Sequence, residues 1–160
     1  MEKGRMQRKP DLTIYLKRLI MPKNNCWLRR TVLVFAFIVF DYLTTLMFCQ
    51  IPAEEANPFA RAFMESLGIP VGLTLFVAIV NMPIYVTLSL DSNMIKLPRR
   101  TTPFAGLFVD AMFAWFVAGT HFSGGTSWFW NVPDLTRQML GAALYLAFAF
   151  SIVRPTRLRE

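Results

Sequence analysis

Two carboxylic acids sit inside long apolar runs, Asp41 in TVLVFAFIVFDYLTTLMFCQ and Asp110 in PFAGLFVDAMFAWFVAGTHF. An ionised carboxylate at the centre of a membrane helix costs at least about 2.5–3.5 kcal/mol, so such an acid needs a partner, a proton or a bound cation. Counted from the nearest charge at the expected cytoplasmic end of each run, Asp41 is eleven residues from Arg30, Asn81 ten from Asp91, Asp110 ten from Arg100 and Tyr145 nine from Arg154. At about 1.5 Å per residue, the four polar groups are expected at one level, roughly 13–17 Å from that face. No Lys or Arg is expected there, so two acids at one depth imply either a shared proton or a cation between them. Thr44 and Thr45, three and four residues after Asp41, complete a half-site for a cation or protonated amine. The structural alternative is that neutral Asp41 and Asp110 hydrogen-bond Thr44, Thr45, Asn81 or Tyr145 and hold helices together, at about 0.6 kcal/mol per contact.

A second set of polar residues falls beyond the ends of the runs: Glu54, Glu55, Asn57, His121 and Asp134. His121 is the only histidine, and with Glu54, Glu55 or Asp134 it forms an incomplete zinc set, lacking a second His or Cys at ligand spacing. The plainer reading is an interfacial structural histidine. The sequence contains no GxSxG, HExxH, CxxC or phosphate-loop pattern, and it names no cofactor.

The elements that position these residues follow from hydropathy. The chain has 160 residues, of which 54% are hydrophobic, with a mean hydropathy of +0.40. Its apolar residues are gathered in four blocks, 31–50, 70–90, 103–122 and 135–153, each long enough to cross about 30 Å of hydrocarbon as a helix. The expected fold is all-α: a polytopic bundle of four transmembrane helices (30–153), a basic segment with an amphipathic helix (1–29) and a tail (154–160). In the basic segment Leu12, Tyr15, Leu16, Leu19 and Ile20 recur at helical spacing, which predicts a cytoplasmic interfacial helix ended by Pro22. Between the first two blocks, Asn57-Pro58 starts and Gly68 ends a short helix expected on the outer surface, with Phe59, Phe63 and Leu67 on one face. Asn81 and Pro83 predict a kink in the second block.

The net charge of +7 follows topology rather than nucleic acid. Nine Lys/Arg precede the first block, and others cluster at 96–100 and 154–159, so the positive-inside rule puts both termini in the cytoplasm of a plasma-membrane protein. Cys26 and Cys49 are expected about 34 Å apart along one helix, too far for a disulfide.

Asp41-Tyr-Leu-Thr44-Thr45 followed by Glu55-Ala-Asn57-Pro58 resembles an uncharacterised prokaryotic family of small four-helix membrane proteins, a domain of unknown function. The likeness covers residues 30–90 and implies that Asp41, Thr45, Glu55, Asn57 and Pro58 act as one unit. The chain is also similar in length and span number to the lipoprotein signal peptidases. Their D-Q-x-[ST]-K, N-x-G-x-A-F and N-x-A-D patterns are echoed by residues 41–45, Asn57 to Phe63 and Asn131 to Asp134. That resemblance implies aspartyl hydrolysis by Asp134 and Asp110 together, although the GN-x-x-D-R motif is replaced by Gly119-Thr-His121 and Asp110 lies deeper than that family's acid.

The leading expectation is a non-enzymatic membrane protein that holds Asp41 and Asp110 around a midplane site for a proton, cation or small cationic ligand. Its expected partners are the lipid bilayer and further copies or subunits, because four helices enclose little interior. An intramembrane aspartyl or metal-dependent hydrolase and a structural assembly subunit are the alternatives.

Overall fold

The computed structural model describes residues 25–93 and 102–153. The expected interfacial helix at 11–22, the connection at 94–101 and the tail lie outside the described residues. Among the described residues all regular structure is helical. Helix α1 is Asn25–Phe48, α2 is Pro58–Leu67 and α3 is Ile69–Asn93. A third long rod consists of α4 (Thr102–Phe113), a π-helical segment (Ala114–Gly119) and α5 (Thr120–Ser127). The last rod is α6 (Asp134–Phe148), continued by a second π segment (Ala149–Val153).

Three stretches are long and apolar enough to cross a membrane: Trp27–Phe48, Ile69–Leu88 and Phe104–Ser127. That is the pattern of an integral membrane protein. Large apolar side chains face outward all round these helices, among them Val32, Met47, Val71, Met82, Phe104 and Phe116, as hydrocarbon rather than water demands. The fourth apolar block is helical and packs against the third rod.

The core lies between α1, the third rod and α6. Val34 and Ile38 of α1 meet Phe113, Ala114, Val117 and Ala118 of the third rod and Ala142, Tyr145 and Ala149 of the last. Small residues set these distances. A Cβ on Gly141 would stand 2.4 Å from the Cβ of Phe122, and one on Gly119 would stand 2.8 Å from the Gln138 carbonyl oxygen. Close backbone approach of this kind is how membrane helices gain packing energy without a hydrophobic driving force. The π segment is also tied across: Gln138 Nε2 donates to the Trp115 carbonyl at 3.3 Å.

Helix α3 stands to one side, packed chiefly on α2 and α1. Trp27 ties its far end to α1 by donating from Nε1 to the Leu88 carbonyl at 2.7 Å, with its ring 6.1 Å from that of Tyr85. Helix α2 forms where the Asn57-Pro58 pair predicts it, since Asn57 Oδ1 accepts from the Phe59 and Ala60 amides. It folds straight back onto α3 through Gly68, whose φ of 81° suits glycine. The face of α2 turned to the protein carries Ala60 and Met64, with Phe63 against Phe76 (5.9 Å), while Phe59 and Leu67 point away.

Gly141→Ala is expected to lower the unfolding free energy by about 1–3 kcal/mol, because the added methyl overlaps Phe122. Denaturation by SDS in mixed micelles measures it, with Gly106→Ala, which meets nothing within 4 Å, as the control expected to show no such loss.

Candidate functional site

The polar residues of the bundle interior form two pairs at different levels. At one level Arg30 Nε donates to Asp110 Oδ1 at 2.7 Å, with side-chain exposures of 11% and 2%. At the other, His121 Nδ1 and Asp41 Oδ2 lie 2.8 Å apart, with side-chain exposures of 21% and 24%. Both pairs join residues eighty apart, so α1 and the third rod run parallel in one register. Arg30 and Asp41 are eleven residues apart, as are Asp110 and His121, which separates the two levels by roughly 16 Å.

This arrangement corrects the expectation of a single polar layer. Asp41 and Asp110 do not meet, and a basic residue does stand beside Asp110. The depth count aligned Arg30 with Arg100, a spacing of seventy, whereas packing slides the third rod a further ten residues and sets Arg30 beside Asp110. The missed signal is in the sequence: a cation and an acid eleven apart on one helix, an acid and a histidine eleven apart on another. Their charges complement only at the eighty-residue offset.

Aromatic rings pack beside the Asp41–His121 pair and reach from it to Tyr145. Phe37 meets both Tyr145 (ring centroids 6.1 Å) and Phe122 (6.3 Å), and Phe40 stacks on Phe122 at 6.0 Å. Tyr145 is fully buried on the Arg30–Asp110 side, and its hydroxyl has no hydrogen-bond partner among the described residues. Asn81, on α3, joins neither pair. Its Nδ2 donates to the Val77 carbonyl at 2.8 Å, and its Oδ1 has no partner among the described residues.

The Asp41 level opens towards the 49–57 loop. Gly124 of α5 makes room for the carboxylate, since a Cβ there would stand 2.7 Å from Asp41 Oδ1. The neighbouring hydroxyls serve elsewhere. Thr44 Oγ1 donates back to the Phe40 and Asp41 carbonyls, and Thr45 Oγ1 accepts from Trp128 Nε1 at 3.2 Å. They hold helices rather than join the carboxylate in a half-site. With a carboxylate on Nδ1, the imidazole is held in one orientation and directs Nε2 away from Asp41.

The loop above is built from its own acids. Glu54 Oε2 accepts the Gln50 and Ile51 amides, and Glu55 Oε1 accepts the Asn57 amide at 2.9 Å. Arg61 donates from Nε and Nη2 to the Glu55 carbonyl. The segment Glu55-Ala-Asn57-Pro58 is thus a capping device that fixes Glu55 near Asp41. Burial pushes the Glu55 carboxyl up, the Asn57 amide pulls it down, Asp41 pushes it further up, and Arg61 and the Ala56 amide lower it, with a net rise. Cys49 is a free, buried thiol whose Sγ donates to the Ile51 carbonyl at 3.3 Å, and burial with Glu55 and Glu54 pushes its pKa up.

Asp134 belongs to a third cluster. It pairs with Arg137, which also donates to Ser123 Oγ and to the Trp130 and Val132 carbonyls. Buried Arg137 thereby staples the 128–133 loop to the helices on either side of it. Asp110, held by Arg30, and Asp134, held by Arg137, do not converge on a common point. Among the described residues no group of three His, Cys, Asp or Glu side chains is placed to hold a metal ion. No family model, no curated protein and no solved structure matches the chain.

Removing one member of the buried ion pair takes from the other its close opposite charge. Arg30→Met and Asp110→Leu are each expected to cost about 3–5 kcal/mol, whereas the double variant recovers most of the loss, in a double-mutant cycle of SDS unfolding. The Glu55 proton is held more tightly in the folded chain than in the unfolded one, so its contribution to stability is lost as pH rises from the ordinary glutamate range through the raised value. The thermal midpoint in detergent should therefore fall with rising pH across that window, and Glu55→Gln should flatten the slope.

Proposed function

We propose that the chain is a four-crossing plasma-membrane protein that takes up a proton, a metal cation or a small cationic ligand at Asp41 and His121 from the outer face, acting in transport or as a subunit of a larger membrane complex. In this reading α6 and its π extension form the fourth crossing, both termini are cytoplasmic, and α2 rests on the outer surface. The density of Lys and Arg before α1 supports that orientation.

The observation that carries the reading is the Asp41–His121 contact at 2.8 Å in a part-exposed position, with the Glu55 carboxyl nearby. Three groups able to bind a proton or cation gather at the end of long apolar helices, where an ionisable residue is a functional candidate in its own right. Asp110 is already neutralised by Arg30, which leaves Asp41 as the acid available to a cation.

Proteoliposomes loaded with a pH-sensitive or cation-sensitive dye test the reading. Flux driven by a proton or monovalent-cation gradient is expected from the unaltered chain and should fall to the background of empty liposomes in Asp41→Asn. Gly124→Ala, which displaces the carboxylate without removing it, should retain only part of the flux. Equal flux from all three proteins would overturn the proposal.

A further inference from the structure

His121 Nδ1 and Asp41 Oδ2 lie 2.8 Å apart, and an ionised carboxylate only accepts, so Nδ1 carries the ring hydrogen. Nε2 of the neutral ring is then a bare acceptor. It has no hydrogen-bond partner among the described residues, and the side chain is 21% exposed.

The donors around this pair do not suit a metal ion. The two ring nitrogens face different ways, so a metal on Nε2 would have Asp41 behind the ring instead of among its own ligands. Zinc sites take three or more protein ligands, and among the described residues no three His, Cys, Asp or Glu side chains are placed to supply them. The oxygens nearby are engaged: Glu54 Oε2 by the Gln50 and Ile51 amides, Glu55 Oε1 by the Asn57 amide, and the Thr45 hydroxyl by Trp128. On the Gly124 side, a Cβ would stand 2.7 Å from Asp41 Oδ1 and 3.1 Å from Oδ2. A group no larger than a methyl already overlaps the carboxylate there, so that side admits neither a hydrated ion nor an alkylammonium group. A proton needs no such space and only one acceptor, which Nε2 provides.

We infer that the cation taken up at this pair is the proton, received at His121 Nε2 while Nδ1 stays hydrogen-bonded to Asp41; the inference rests on the cation-uptake reading and names its substrate. Hydronium gives up the proton and leaves as water, one N–H bond forms at Nε2, and the ring becomes an imidazolium with a donor on each nitrogen. The pair passes from one negative charge to none. The other charged groups that bear on it come from the neighbouring elements: Glu55 of the loop acts on Asp41, and Arg61 of α2 acts on Glu55. Arg137 of α6 is engaged by Asp134 and Ser123.

The test uses the full chain in proteoliposomes with equal potassium on both sides and valinomycin to hold the potential at zero. With EDTA present, a pH gradient alone is expected to acidify the lumen faster than in empty liposomes. A sodium gradient, or a zinc gradient without EDTA, at uniform pH should give no entry above empty liposomes. His121 is the only histidine of the chain, so diethyl pyrocarbonate blocks this one imidazole without any substitution. Proton entry should then fall to the empty-liposome level and return on treatment with hydroxylamine. His121→Gln, which keeps a donor for Asp41 but takes up no proton, should show the same loss. Proton entry that survives both treatments would overturn the inference. Sodium or zinc entry that Asp41→Asn abolishes would also overturn it, while leaving the cation reading in place. No entry of any of the three ions would overturn both.

Discussion

The ion pair between Arg30 and Asp110 is the constraint on which the arrangement of the bundle depends. Both side chains are nearly buried, and separating two buried charges is costly, so the register of the two helices that carry them is favoured where the charges meet. Once Arg30 faces Asp110, the equal spacing of eleven residues brings Asp41 to His121 with no further choice. Register set at one end of the bundle thus decides the chemistry available at the other.

The two pairs differ in environment. Arg30–Asp110 is close and nearly buried, which suits a structural lock. Asp41–His121 is part-exposed and stands near a second acid, Glu55, with Gly124 reserving space for the carboxylate. Phe37 lies between the two pairs and packs on Tyr145 and Phe122. The loop acids add rigidity, because Glu54, Glu55 and Asn57 spend their carboxylate and amide oxygens on backbone amides and so hold the turn over Asp41.

Helix α3 follows a different logic. It is tied at both ends, by Tyr42 to Thr74 and by Trp27 to Leu88, and between them a groove lined mainly by apolar side chains runs along α1. Pro83 removes one backbone hydrogen bond from the helix close to Asn81.

The sequence by itself determined the all-helical class, the apolar stretches able to cross a bilayer, and the short helix started by Asn57-Pro58 and ended at Gly68. Each depends on neighbours in the chain, such as a run of apolar side chains, an amide that caps, or a residue free to take positive φ. Only the tertiary structure decided which partner each acid meets, because the offset between two helices is set by side chains eighty residues apart rather than by distance from a flanking charge. It also decided that Thr44 and Thr45 serve backbone and Trp128, that Asp134 belongs to Arg137, and that Asn81 faces a groove instead of the acids, since long-range packing assigns every hydroxyl, amide and carboxylate its partner.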